Sequence, residues 1–304
     1  MFLSVKFTTE PLSRVNYISF EESGRKFYFV ASKGSTEHFY TNIPVNVFPK
    51  IIWNTPHKLT ILSENDKPYM TELQKELNTS LISYKNLNYK REVVGIPTKA
   101  IISFPHFRGH AGFEAPYAVL DSHKLGIDNC LHLCFQDPFL TGGGYYLTDS
   151  FGDSPVPTAV EIINLELASF GLTSANVTFL GLSKGGCIAN LISSHFSNNQ
   201  LIVAALQTDI AHFLKNTPYQ HVGEAFDYLE VKIPDMAEIL FEQARFKDVH
   251  WFYAENDDTS NCGYENYSGS KLNLYANTVG HSDVYPHNSD RIATLIRDFH
   301  GVDI

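Results

Sequence analysis

From about residue 99 onward the sequence alternates short, unbroken apolar runs with stretches whose apolar residues recur at helical spacing. An apolar run with no polar alternation must be covered on both faces, the situation of a strand inside a parallel sheet flanked by helices. The pattern therefore predicts an α/β fold with a mostly parallel central sheet and helices on both of its faces. Strands are expected over residues 100–104, 130–136, 176–181, 201–207, 249–254 and 271–279. A helix is expected over 156–170, where Val156, Val160, Ile163 and Leu167 share a face, Asp153 and Ser154 are candidate caps and Gly171 is the stop. Further helices are expected over 184–196, with Ile188, Leu191 and Ile192 inward, and over 290–299.

The earlier residues read differently. Aromatic and β-branched residues alternate over 16–20 and 26–31, Ile51-Ile52-Trp53 and 58–62 look strand-like, and 70–77 looks like a short helix. This gives a small β-rich N-terminal region, 1–95, leading into the sheet of an α/β domain, 96–304. With 304 residues, 43% hydrophobic and 18% charged, the chain can bury a sizeable core. A formal charge of −10 argues against a nucleic-acid partner, which needs clustered Lys and Arg. The start has no basic region followed by a long apolar stretch, and no segment approaches the roughly 20 apolar residues of a transmembrane helix. Cys130, Cys134, Cys187 and Cys262 show no zinc-type pairing, and Cys130 and Cys134 fall on one strand, where extended chain keeps them apart. Free thiols and a cytoplasmic location are expected. His106 and His110 have helical spacing but lie in a loop without a third ligand, so no metal is expected.

The segment with the most chemical content is Gly181-Leu182-Ser183-Lys184-Gly185. An apolar run, Val177-Thr178-Phe179-Leu180, precedes it and a helix-forming run follows. At such a strand-to-helix elbow a serine is forced into strained dihedrals and projects clear of the backbone, and small residues two before and two after it relieve the clash of strand with helix. Gly186 adds room. A serine hydroxyl becomes nucleophilic only when a base takes its proton, and on an elbow of this kind the partners follow in the order acid, then histidine. Among 13 histidines, His281 stands beyond the last expected strand and before the last helix, with His287 as the backup base. Glu255-Asn256-Asp257-Asp258 follows the strand over 249–254. Asp257 is the first choice of acid, with Asp258 and, one strand earlier, Asp209 as alternatives.

A tetrahedral intermediate needs donors already aimed at its oxygen. The backbone N–H of Lys184 is one, and Phe107 or Arg108, in the loop after the strand over 100–104, supplies the other. The Arg108 side chain could instead hold an anionic group of substrate. The stretch Thr141-Gly142-Gly143-Gly144-Tyr145-Tyr146 lacks the Gly-Lys-Ser/Thr ending of a phosphate loop and any dinucleotide fingerprint. It reads either as a plain turn or as a loop shaping the acyl pocket, with Tyr145 and Tyr146 available to stack on a sugar.

With Gly181 to Gly186 in place and Asp257 and His281 behind them, the chain resembles the α/β-hydrolase superfamily over roughly its last two thirds. Gly-Leu-Ser-Lys-Gly-Gly, together with the upstream Asp-Pro and Gly-Gly-Tyr-Tyr, looks more narrowly like bacterial capsular polysaccharide O-acetyltransferases and the acetyltransferase-like component of the accessory Sec system. That resemblance implies transfer of acetyl from acetyl-CoA to a hydroxyl of a surface polysaccharide through acetylated Ser183. A carboxylesterase or carbohydrate deacetylase would use the same residues, with water in place of the sugar. A third reading, from another class, is a non-catalytic glycan-binding or export partner. It is motivated by N-terminal aromatics such as Tyr28, Phe39 and Tyr40, which a small β core would equally explain.

Overall fold

Strands β8 (Lys99–Phe104), β9 (Cys130–Phe135), β10 (Val177–Leu182), β11 (Gln200–Ala204) and β12 (Asp248–Ala254) are buried along almost every residue, as unbroken apolar runs require. In the computed structural model the described residues are 81–85, 87–106, 126–137, 143–149, 152–216, 220–257 and 271–301, together with the backbone of five strands earlier in the chain. Those strands are β1 (Ser4–Phe7), β2 (Val15–Glu22), β3 (Arg25–Ser32), β4 (Lys50–Trp53) and β5 (Leu59–Leu62). They form a two-stranded sheet, β1-β5, and a three-stranded sheet, β3-β2-β4, all antiparallel. The helix expected over 70–77 lies outside the described residues, as do Phe39, Tyr40 and Cys262.

The principal sheet has eight strands in the order β13-β12-β11-β10-β8-β9-β7-β6, where β6 is Leu81–Tyr84, β7 is Leu87–Val94 and β13 is Leu272–Asn277. From β13 to β9 all neighbours are parallel, while β7 pairs antiparallel with both β9 and β6. The hairpin β6-β7 thus forms one edge of this sheet. Among the described residues the helices are α1 (Val156–Ser169), α2 (Lys184–Ser193), α3 (Ile210–Asn216), α4 (Gln220–Tyr228), α5 (Met236–Gln243) and α6 (Val284–Phe299). Among the described residues no helix is long and apolar enough to cross a membrane.

Alternate residues of the central strands feed two cores. On one face Ile102, Leu133, Phe179 and Val203 pack with Ile163 of α1, Ile188 of α2 and Leu240 of α5. On the other, Ile101, Leu180, Ile202 and Phe252 pack with Val284, Ile292 and Ile296 of α6. Helix α1 buries Ala159, Ile162, Ile163, Glu166 and Leu167, the 3-4 spacing of one face. Pro155 stands at the N-cap position, while Ser154, one of the two expected caps, accepts the Val156 N–H on its hydroxyl oxygen at 3.3 Å and donates to the Tyr146 carbonyl at 2.9 Å. Helix α6 starts six residues before the expected 290, because Val284 already belongs to the buried stripe and Pro286 falls in the first turn, where a missing N–H costs nothing.

Candidate active site

Strand β10 runs into Ser183 and α2 begins at the next residue. Ser183 has φ 53 and ψ −121, outside the regions open to an L-residue without strain. Its N–H donates to the Ala204 carbonyl of β11 at 2.8 Å, and its own carbonyl accepts the N–H of Gly186 at 2.9 Å and of Cys187 at 3.2 Å. A Cβ on Gly181 would stand 2.0 Å from the Gly185 carbonyl oxygen, and one on Gly185 2.4 Å from that of Phe104. Both glycines are therefore demanded by the close passage of helix over strand. At Gly186 a Cβ would meet nothing nearer than 3.5 Å, so that glycine adds no necessary room.

His281 opens a single 3-10 turn, His281–Asp283, between β13 and α6. Its Nε2 lies 2.8 Å from Ser183 Oγ, and its Nδ1 is hydrogen-bonded to Asp257 Oδ2. Asp257 follows β12, with its N–H bonded to the Ala254 carbonyl at 3.1 Å. An ionised carboxylate only accepts, so the Nδ1 proton points to Asp257, leaving the Nε2 lone pair to receive the Ser183 hydroxyl. The Asp257 side chain is 10% exposed and that of His281 27%, so the carboxylate is shielded while the imidazole keeps an open edge. Phe213 of α3 stacks near the same ring, with centroids 6.5 Å apart.

Of the other candidates, Asp209 accepts the His212 N–H at 2.8 Å and caps α3. His287 is exposed on α6 rather than in the loop before it. Asp258, Phe107, Arg108 and His110 lie outside the described residues. Tyr145 and Tyr146 require a correction. Both rings are fully buried, the Tyr145 hydroxyl donates to Gln207 Oε1 at 2.6 Å and the Tyr146 hydroxyl to the Gln136 carbonyl at 2.7 Å. The glycine loop folds back into the core, so neither ring presents a face to a sugar. Cys187, one turn into α2, is no rival nucleophile, since burial pushes its thiol up to about 12.

Sequence reasoning used only the backbone of Lys184 and missed its side chain, which forms a buried ion pair with Asp137 at 2.9 Å. The signal was available, since a lysine within Gly-Leu-Ser-Lys-Gly-Gly-Cys has no room on the inner side of a helix unless a carboxylate meets it.

An eight-stranded, mostly parallel sheet, with a serine at the elbow after a central strand and a histidine after the last strand, is decisive for architecture. The chain has the α/β-hydrolase fold. Solved structures agree with this. The capsule O-acetyltransferase of Neisseria meningitidis serogroup A superposes with a TM-score of 0.54 at 18% identity, over 71% of this chain and 94% of that one. The Glycosylation Associate Protein (Gap123) complex from Streptococcus agalactiae matches with a TM-score of 0.52 at 12% identity, over 100% of this chain and 64% of that one. Porphyromonas gingivalis dipeptidyl peptidase 4 matches with a TM-score of 0.53 at 12% identity, over 92% of this chain and 45% of that one. No family model and no curated protein sequence matches. The likeness at these identities is one of α/β-hydrolase fold.

Proposed function

We propose that this α/β-hydrolase-fold chain is a serine acyltransferase that moves acetyl from acetyl-CoA to a hydroxyl of a bacterial capsular or surface polysaccharide. The observation that carries the reading is the 2.8 Å contact of Ser183 Oγ with His281 Nε2, backed by Asp257 on Nδ1. As Oγ attacks the thioester carbonyl, its proton passes to Nε2, and the developing oxyanion meets the Lys184 N–H at the positive end of α2. Phe107 or Arg108 would be the second donor. The C–S bond then breaks, Nε2 returns the proton to the thiolate, and acetyl-Ser183 remains. A sugar hydroxyl gives its proton to Nε2 and attacks the ester, after which the C–Oγ bond breaks and Ser183 regains its proton. Asp257 stays ionised and holds the imidazole tautomer.

The choice of donor and acceptor is supported by the likeness to the capsule O-acetyltransferase, a variant of which is known in complex with CoA. Purified protein with acetyl-CoA and candidate polysaccharides should release thiol beyond one equivalent per enzyme only when an acceptor is present. Acetate release without transfer would make the chain an esterase or deacetylase. A fluorophosphonate probe should label the protein and fail on Ser183→Ala, and an unlabelled wild type would leave only a non-catalytic glycan-binding or export role. That role draws on the likeness to the Gap123 complex, which spans the whole chain.

A further inference from the structure

A lysine at the first position of a helix ordinarily turns its ammonium to water, but Lys184 does not. Its side chain is 3% exposed and Nζ donates at 2.9 Å to Asp137 Oδ2, on a side chain with 0% exposure. Asp137 stands just beyond β9, and its two oxygens also accept the N–H of Gly144 at 3.0 Å and of Tyr145 at 3.1 Å. The loop that supplies those donors carries two non-glycine residues at positive φ, 56 at Tyr145 and 58 at Tyr146, while Gly143 at 105 takes a conformation open to glycine. A Cβ on Gly143 would lie 2.1 Å from Lys184 Nζ and 2.3 Å from Asp137 Oδ2, so the loop backbone rests directly on the ion pair. The ring then closes through Gln207, beyond β11, which accepts the Tyr145 hydroxyl on Oε1 at 2.6 Å and the Cys187 thiol on its carbonyl at 3.3 Å.

Stability does not explain this arrangement. Two buried charges lose their hydration, and a well-packed apolar pair of the same volume is often as stable or more so. What the pair does supply is a fixed direction at one peptide unit, the one joining Ser183 to Lys184. We infer that Lys184 is a positioning residue for acyl transfer, its buried ion pair with Asp137 and the 143–146 loop fixing the aim of Ser183 Oγ and of the Lys184 N–H. The inference rests on the reading of Ser183 as nucleophile.

The test uses full-length protein, titrated with a fluorophosphonate to count reactive serines and assayed on p-nitrophenyl acetate. Lys184→Met alone would strand the Asp137 charge, so Lys184→Met is combined with Asp137→Asn and both charges leave together. Turnover per titrated serine should fall about 100-fold, the scale of a small misplacement of reacting atoms, with KM held within about threefold. A merely structural role would lower the titratable fraction and leave the rate per titrated serine intact. A rate per titrated serine within about tenfold of wild type overturns the inference. If the paired variant does not fold, Asp137→Asn alone, which keeps an acceptor oxygen and the ammonium, is judged by the same limit, and failure of both to fold assigns the pair to structure and overturns the inference. A wild type that does not titrate removes the nucleophile reading and this inference together, whereas a titrating wild type with an unimpaired variant removes this inference alone.

Discussion

Ser183 is held at φ 53 and ψ −121, a conformation that costs of order 1 to 3 kcal/mol and persists only where the surroundings over-determine it. Three backbone hydrogen bonds and two glycines with no space for a Cβ do so here. The imidazole facing it is fixed just as locally, through Nδ1 to Asp257. Asp257→Asn should therefore be severe out of proportion to its size. The amide offers an N–H where Nδ1 already carries its proton, favours the opposite tautomer, and takes the lone pair away from Ser183. Turnover should fall on the order of 10⁴-fold at neutral pH, measured per folded molecule. Asp209→Asn is the matching control, because its carboxylate serves the His212 N–H and asparagine caps a helix equally well. If instead Asp209→Asn abolishes turnover and Asp257→Asn spares it, the acid lies one strand earlier.

Helix α6 ties the two ends of β10 together. Just before its first turn His281 reaches Ser183, beyond the C-terminal end of β10, and just after its last turn His300 Nε2 lies 3.0 Å from Thr178 Oγ1, near the strand's start. Thr178 continues the contact to Gln200 Oε1 at 2.9 Å, and Gln200 Nε2 bonds the Leu295 carbonyl at 3.2 Å, so the C-terminal half of α6 is fastened to the sheet by polar groups. Burial, with a smaller push from the nearby Lys99 charge, pulls His300 down from 6.5 to about 4. Between those values the unfolded chain binds the proton and the folded one does not, so stability is full above about pH 6.5 and drains as pH falls to about 4. The effect is on the order of 3 kcal/mol. His300→Gln should flatten this limb of the stability profile in urea titrations at successive pH values. An unchanged slope would mean that His300 titrates alike in both states.

Across the whole molecule, legibility followed the covering of each strand. Strands β8 to β12 are covered on both faces and read directly as apolar runs, so counting strands located the serine elbow after β10, the histidine after β13 and the carboxylate run after β12, while the choice of Asp257 within that run came from the family resemblance. Strand β7 was not read because Lys90, Arg91 and Glu92 interrupt it, as an alternating strand near a sheet edge permits. Helix α5 had a readable start, Asp235 with Glu238 three residues on, and the Asp235 carboxylate does accept the Ala237 and Glu238 N–H groups at 2.9 and 3.0 Å. The fate of Tyr145 and Tyr146 could not be read, since the loop turns inward partly for a partner distant in sequence, Gln207, which accepts the Tyr145 hydroxyl across 62 positions. Charges in β7 have a use that appears only in three dimensions. Glu166 of α1 accepts the Tyr89 hydroxyl at 2.5 Å and Arg91 Nη1 at 3.2 Å, while one turn and a half earlier Glu161 accepts Tyr84 at 2.6 Å and is paired with Lys85. Two such clamps fasten the edge hairpin to the helix layer, and burial separates them in strength. Glu166 is 6% exposed, whereas the Glu161 and Lys85 side chains are 40% and 55% exposed and screened by water. Glu166→Gln should lower stability by about 1 to 3 kcal/mol, seen as an earlier urea midpoint. Glu161→Gln should leave the midpoint in place. Equal shifts from the two would show that water reaches both clamps alike and that the β6-β7 edge is not sealed against α1.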